Sequence, residues 1–265
     1  HPQIEEYINW KVKEEEKVQA LIAAGYPSDF NGEAYATVSG QNSNNSVMIP
    51  DSFMQAVLED KEWNTIERTT GKIRKTYKAR ELMKQISEAA WRCADPGVMF
   101  YDQMNKWHTC SNSDHIHSTN PCSEYVFIDD TACNLASINL MKFIDNESNF
   151  DIEAFKHACR IFFIAQEIIV DFGSYPTKPI AQRSHDFRTI GLGYANLGTL
   201  LMTEGIPYDS DKARAIAGAI TAILTGYAYR TSAELARVKD PFPRYEENKE
   251  PMLKVMKQHR DAAYK

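Results

Sequence analysis

The stretch Asn120-Pro121-Cys122-Ser123-Glu124 is the most informative part of the chain. Asn120, Cys122 and Glu124 occupy alternate positions, so a strand here would project all three side chains from one face. An amide, a thiol and a carboxylate on one face combine a hydrogen-bonding group, a nucleophile or radical carrier and a proton acceptor. From these five residues alone a plainer interpretation stays open, in which Cys122 is a packing residue, Asn120 a turn residue and Glu124 solvent-exposed.

The composition limits the classes of partner. The chain has 265 residues, 43% of them hydrophobic, and a net charge of −6. This charge argues against binding to polymeric nucleic acid, although helix N-termini and backbone amides could still hold a small anion. The sequence has no apolar run of membrane-spanning length and no secretory pattern at its start. We therefore expect a cytoplasmic protein, with no membrane partner, whose five cysteines are reduced.

The apolar spacing predicts an α/β fold. Helical periodicity is present at residues 1–24, 51–58, 79–94, 151–172 and 209–238 and in a charged segment at the end. The helix at 151–172 is expected to be buried on most sides, and Asp51 to act as an N-cap. β-prone runs occupy residues 35–38, 46–49, 125–128 and 133–140, and 63–77 is β-like or irregular. Because there is no repeat or linker, residues 1–265 are predicted to lack an internal domain boundary.

The string NPCSE at 120–124, followed by TACNLASINL at 131–140, resembles the catalytic subunit of ribonucleotide reductases. It is most similar to the adenosylcobalamin-dependent (class II) branch. The resemblance continues in the family's order with HPQIEEYI at 1–8, SGQNSNNSV at 39–47, DPG at 95–97, WHTC at 107–110 and GLGYANLG at 191–198. It implies that the chain is part of a ten-stranded α/β barrel of the kind shared with glycyl-radical enzymes, with many peripheral helices.

The resemblance also implies residue roles. Cys122 would carry a thiyl radical that abstracts the ribose 3′ hydrogen, Glu124 would take the 3′-hydroxyl proton, and Asn120 would hydrogen-bond to the ribose hydroxyls. Cys133 would be one of two thiols that reduce the intermediate, since a dithiol supplies the two electrons required. The substrate would be lined by Thr119, Asn120, Pro121, Cys122 and Ser123.

A polar loop is similar to the family's specificity loop, which reports a bound effector nucleotide to the substrate base. It consists of Ser39, Gly40, Gln41, Asn42, Ser43, Asn44 and Asn45. Gln41 and Asn42 are the side chains expected to face a base. From composition alone a solvated polar hairpin is an equal alternative.

The implied cofactor is adenosylcobalamin. The implied partners are a ribonucleotide substrate, a deoxynucleotide or ATP effector and a thioredoxin- or glutaredoxin-type reductant. The full-length protein is expected to be a homo-oligomer. Because the chain begins inside a helical pattern and the family's second redox thiol lies further upstream, we expect a central fragment whose activity alone is doubtful.

Several alternatives remain at this point. Cys110, His115, His117 and Cys122 have ligand types that suit zinc but not a usual zinc spacing, and we predict no metal site. The glycines at 191, 193 and 198 do not follow the dinucleotide-loop pattern and are better explained by helix packing. A class I reductase with a diiron or dimanganese radical subunit, or a non-catalytic helical interaction module, would also fit the pattern. The choice between diphosphate and triphosphate substrates is open.

Overall fold

A computed structural model describes residues 1–147 and 149–264. The first half contains α1 (Ile4–Ala23), α2 (Glu33–Ala36), β1 (Ser46–Ile49), α3 (Asp51–Leu58), β2 (Glu62–Ile66), β3 (Ile73–Lys78), α4 (Ala79–Cys93), β4 (Gly97–Phe100) and α5 (Tyr101–Lys106). The second contains β5 (Asn134–Asn139), a 3-10 helix (Leu140–Phe143), α6 (Ile152–Phe172), α7 (Lys178–Phe187), β6 (Ile190–Ala195), α8 (Leu197–Thr203), α9 (Asp211–Lys239) and α10 (Tyr245–Ala263). The predicted α/β class is confirmed.

The chain divides into two compact units. Unit 1 comprises His1–Trp107 and Ile116–Val126, and unit 2 comprises His108–His115 and Phe127–Lys265. That residues 1–265 form one domain stays a prediction.

Unit 1 is built around the amphipathic helices α1 and α4. Gly25, at φ +100°, follows the end of α1 in a conformation that glycine adopts without steric cost. The apolar stripes of the helices meet β1 and α3 in a core of Ile8, Val12, Ile49, Phe53, Ala56, Ala79, Leu82, Ile86 and Ala89. Strands β1 and β4 pair in parallel, and β2 and β3 form an antiparallel hairpin.

Two local predictions in unit 1 are wrong. The run 35–38 is not a strand, because Tyr35 lies in the short helix α2, where its hydroxyl donates to Glu15 Oε1 at 3.3 Å. Asp51 is the first residue of α3 rather than its N-cap, a position held by Pro50. The Asp51 backbone N–H instead donates to the Asp102 carboxylate at 2.7 Å.

Unit 2 contains a parallel pair, β5 and β6, connected through α6 and α7. The register places Leu135 opposite Gly191. The Asp151 side chain caps α6 by accepting from the Ala154 N–H at 2.9 Å. The core of this unit contains Ile138, Leu140, Phe155, Cys159, Leu200, Leu201, Ile206, Ala213, Ile220 and Leu224.

Helix α6 is buried on one face only, so the prediction of burial on most sides is wrong for the described residues. Its buried positions are Phe155, Cys159, Gln166 and Val170. Ile161, Phe162, Ile168, Ile169 and Phe172 are between 41% and 85% exposed.

The run 125–128 is not a strand either. Phe127 and Ile128 are buried, but the Phe127 ring packs edge-on against His108 and Phe187, with centroids 5.5 Å apart in both pairs. Ring packing rather than strand pairing therefore accounts for the apolar character of this run.

The described residues form three two-stranded sheets and no closed barrel, so the expected ten-stranded architecture is not seen in this part of the chain. Among the helices of the described residues, none is both long and apolar enough to cross a membrane.

Candidate active site

The Asn120–Glu124 stretch contains a tight turn, and the strand arrangement considered for it does not form. The Ser123 backbone N–H donates to the Asn120 carbonyl at 3.0 Å, which leaves Pro121 and Cys122 at the two central positions. Proline is favoured at the first of these because its ring fixes φ near the value that the turn requires. Ser123 follows at φ +66°. Alternate residues therefore do not share a strand face here, and Cys122 is exposed in the turn.

The Cys122 turn, residues Asn120–Ser123, is fixed by its own side chains. Asn120 Oδ1 accepts from the Tyr125 N–H at 2.9 Å, which directs the N–H donors of the amide away from that bond. The Thr119 hydroxyl lies 2.8 Å from the Asn120 carbonyl and 3.2 Å from Ser123 Oγ. Three of the predicted substrate-lining residues, Thr119, Asn120 and Ser123, are thus joined by hydrogen bonds, while Glu124 is exposed beside the turn.

The loop at 39–45 reaches the Cys122 turn within unit 1. Asn44 Nδ2 lies 3.5 Å from Cys122 Sγ and is oriented to donate to the sulfur. Two segments singled out separately from the sequence are therefore in contact. Gln41 is half-buried and Asn42 is exposed.

Helix α1 holds this loop in place. The Ser39 N–H donates to Glu14 Oε2 at 3.0 Å, and Lys11 Nζ donates to the Ser43 carbonyl. Hydrogen bonds from Lys17 and from the Ser39 N–H lower the pKa of the buried Glu14 carboxyl. Gly40 adopts φ +74°, and a Cβ there would lie 3.1 Å from the Trp10 ring. These fixed contacts do not match the freely solvated hairpin that the composition also allowed.

Cys133 directly precedes β5 and is half-buried in unit 2. Its thiol lies 3.6 Å from the Asn134 carbonyl. A Cβ on Gly191, in the neighbouring strand, would lie 2.8 Å from Cys133 Sγ. The glycine therefore provides the space that the sulfur occupies.

The whole described chain matches one family model. The model is described as "Ribonucleotide reductase, barrel domain", and it covers residues 1–264. The chain belongs to this family.

Curated relatives agree with this assignment. A vitamin B12-dependent ribonucleotide reductase from Rhodopirellula baltica is 56% identical over 99% of the chain and 25% of the relative. One of the same name from Streptomyces coelicolor is 47% identical over 98% of the chain and 27% of the relative. A vitamin B12-dependent ribonucleoside-diphosphate reductase from Thermoplasma acidophilum is 31% identical over 76% of the chain and 26% of the relative. This ribonucleotide reductase chain thus spans about a quarter of the length of the relatives it matches.

The other cysteines of this reductase chain have structural surroundings. Burial raises the pKa of Cys110 and of Cys159 to about 11, so both are protonated thiols at neutral pH. Cys93 Sγ lies 3.3 Å from the Ala89 carbonyl within α4. In the part of the chain that the structure describes, no three His, Cys, Asp or Glu side chains are grouped to hold a metal ion.

The dinucleotide-loop alternative is wrong. Gly191 and Gly193 lie within strand β6, and Gly198 lies in α8. A phosphate-binding loop requires glycines in the turn between a strand and a helix.

Gln166 is a residue that sequence reasoning missed. It is 2% exposed and bonds to the backbone of both β5 and β6. The sequence contained a signal for it. Phe155, Cys159, Gln166 and Val170 follow helical spacing, and Gln166 carries the one amide side chain in this buried stripe. A polar side chain in an apolar stripe indicates a specific hydrogen-bonding role.

Proposed function

We propose that this chain supplies the radical-carrying cysteine and one of the two reducing thiols of an adenosylcobalamin-dependent ribonucleotide reductase. The observation that carries the proposal is the Cys122 turn, which exposes a thiol between Pro121 and Ser123 beside hydrogen-bonding groups from Asn120 and Asn44. Family membership argues against the helical interaction module. The names of the relatives favour the cobalamin branch over class I.

The proposed reaction replaces the ribose 2′ hydroxyl by hydrogen. The Cys122 thiyl takes the 3′ hydrogen atom, Glu124 takes the 3′-hydroxyl proton, and the 2′ hydroxyl leaves as water. Cys133 and a second thiol then give two electrons and two protons and become a disulfide; one proton leaves in the water and the other is added at C2′. Glu124 returns its proton to the 3′ oxygen, and Cys122 returns the hydrogen atom to C3′, which regenerates the thiyl. The net change converts a ribonucleotide and a dithiol into a deoxyribonucleotide, a disulfide and water.

The exposed position of Cys122 fits a bulky radical source, because hydrogen-atom transfer requires direct approach to the sulfur. Adenosylcobalamin, when bound, supplies the first radical by homolysis of its cobalt–carbon bond. Cys122 is the described residue that would face this group. Its own part is to hold one hydrogen atom at Sγ and release it once per turnover.

For the other site residues we propose the roles that the family resemblance implies. The N–H donors of Asn120 bind the ribose hydroxyls, and the segment 119–123 lines the substrate. The 39–45 loop reports a deoxynucleotide or ATP effector, and the contact from Asn44 to Cys122 supports this because it connects the loop to the proposed radical site.

The remaining predictions concern the whole protein. We propose a thioredoxin- or glutaredoxin-type reductant, a cytoplasmic location, a homo-oligomer and a ten-stranded barrel. Two parallel strand pairs support the barrel, because parallel strands occur almost only in larger α/β sheets covered on both faces.

The test is turnover of the full-length enzyme that carries this chain, with adenosylcobalamin, a ribonucleoside diphosphate or triphosphate and dithiothreitol. Cys122→Ser should lower kcat at least about a thousandfold, since serine cannot carry the radical. Cys133→Ser should stop dithiol-dependent turnover, and Cys93→Ser, a thiol inside α4, should keep activity. Turnover by Cys122→Ser within about tenfold of the parent would refute the proposal.

A further inference from the structure

We propose that Gln166 is a positioning residue for Cys133: its amide joins the starts of β5 and β6 and thereby sets the place of the thiol. This inference rests on the proposed function of Cys133 as a reducing thiol. It assigns a purpose to a buried polar side chain on α6 that has no part in the proposed reaction itself.

The geometry around Gln166 is specific. Nε2 donates to the Asn134 carbonyl at 2.9 Å and to the Gly191 carbonyl at 2.7 Å. In return, Asn134 Nδ2 donates to the Gln166 backbone carbonyl at 3.1 Å. Because carbonyl oxygens only accept, the two bonds from Nε2 fix the orientation of the amide. One side chain therefore holds two neighbouring strands at a fixed separation.

The two residues whose carbonyls accept from Gln166 also lie next to the Cys133 thiol. The Asn134 carbonyl is the oxygen that lies 3.6 Å from Cys133 Sγ. Gly191 leaves the space for the same sulfur, since a Cβ there would come within 2.8 Å of it. A shift of either strand start would therefore move the sulfur or change its hydrogen bond.

Packing alone does not account for a glutamine at this position. In the described residues, Gln166 Oε1 is buried without a hydrogen-bond partner, which costs free energy that an apolar side chain would avoid. The stripe otherwise contains Phe155, Cys159 and Val170. The glutamine contributes what these cannot, two N–H donors directed at the strands.

The chemical consequence concerns disulfide formation. Two cysteines form a disulfide only within a narrow range of separation and orientation, so a misplaced sulfur lowers the rate of the reducing step. The thiol–carbonyl contact also limits the rotation of the Cys133 side chain. Loss of Gln166 should therefore act on the step that consumes the dithiol and not on nucleotide binding.

The experiment uses the full-length enzyme with Gln166→Met, Gln166→Glu and, as a matched control, Val170→Ala on the same buried face. Gln166→Met keeps the length of the side chain and removes both donors. We expect about a tenfold lower kcat with an unchanged KM for the nucleotide, which is within the range for the loss of the two buried hydrogen bonds from Nε2. The Cys133 alkylation rate with iodoacetamide, followed by mass spectrometry, should rise by a similar factor. Val170→Ala should reduce stability and leave both readouts unchanged.

Gln166→Glu provides a pH readout that does not depend on the folding of the methionine variant. An ionised glutamate at position 166 would be repelled by the carbonyl oxygens of Asn134 and Gly191, whereas the protonated acid would donate one hydrogen bond to them. Its kcat relative to the parent enzyme should therefore recover as the pH falls. A relative kcat that does not change with pH would overturn the inference.

Two further outcomes separate this inference from the proposed function. If Cys133→Ser is inactive while Gln166→Met matches Val170→Ala in kcat and in alkylation, Gln166 only packs and this inference alone fails. If Cys133→Ser keeps full turnover, the proposed role of Cys133 fails, and the catalytic purpose of Gln166 fails with it.

Discussion

Replacing Gly191 by alanine tests whether β6 must leave space for Cys133. The added Cβ would lie 2.5 Å from Leu135 Cδ2 and 2.8 Å from Cys133 Sγ, closer than real Cβ contacts. The Leu135 side chain is 65% exposed and can rotate into solvent, so the lasting conflict is with the short side chain of Cys133. Overpacking of this kind costs about 1–3 kcal/mol.

Gly193→Ala is the matched control, because it lies on the same strand and a Cβ there meets nothing within 4 Å. Both substitutions reduce the entropy of the unfolded chain, which stabilises the fold by about 0.4–1 kcal/mol where the backbone conformation suits alanine. The difference between the two variants therefore isolates the steric cost. We expect Gly191→Ala to have a free energy of unfolding about 1–3 kcal/mol below that of Gly193→Ala in urea titrations.

A double-mutant cycle tests whether the Cys133 sulfur causes the loss of stability in Gly191→Ala. Adding Cys133→Ala to Gly191→Ala should restore most of the lost stability, since it removes the sulfur that the new Cβ meets. If the two glycine variants differ by less than about 0.5 kcal/mol, or if Cys133→Ala gives no rescue, the close approach of Gly191 to Cys133 is not as described.

Two further predictions concern unit 2. Burial lowers the pKa of His108 in the folded protein below its usual 6.5. As the pH falls below 6.5, the unfolded chain therefore binds a proton at His108 before the folded protein does, and the free energy of unfolding decreases. This slope, at most about 1.4 kcal/mol per pH unit, should be smaller for His108→Gln in urea titrations between pH 7.5 and 5, and equal slopes would contradict it. Asn248 is fully buried, accepts from the Asn112 N–H at 3.1 Å and donates to Ser113 Oγ at 2.7 Å, so Asn248→Ala should cost about 2–4 kcal/mol. The exposed Lys254→Ala on the same helix should cost under about 0.5 kcal/mol, and similar costs would refute the role of Asn248.

The longer helices could be predicted from the sequence because their signals are local. Apolar spacing predicts α1, α4, α6 and α9 close to their observed ends. The exposure of Ile168 and Phe172 could not be predicted, since periodicity shows that a face is apolar but not what covers it.

The candidate residues around Cys122 were named from the sequence, but the turn that contains them was not predicted. The Asn-Pro dipeptide at 120–121 is itself a turn signal, and the strand interpretation gave it too little weight. The contacts of Gln166 with Asn134 and Gly191 join residues 32 and 25 positions apart, which no local pattern encodes. The contact of Asn44 with Cys122 spans 78 positions and was likewise not predicted.

The Cys122 turn and the surroundings of Cys133 differ in how they can form during folding. The turn depends on bonds within residues 119–125, and a loop of that length closes in about 10–100 ns. The surroundings of Cys133 require β5 and β6 to pair although α6 and α7 lie between them in the chain, and such non-local pairing is slow. On a chain emerging from the ribosome, Cys133 therefore stays accessible to oxidants longer than its final half-buried position suggests. We expect Cys133 to react with oxidants faster in the nascent chain than in the folded protein, whereas Cys122 is exposed in both.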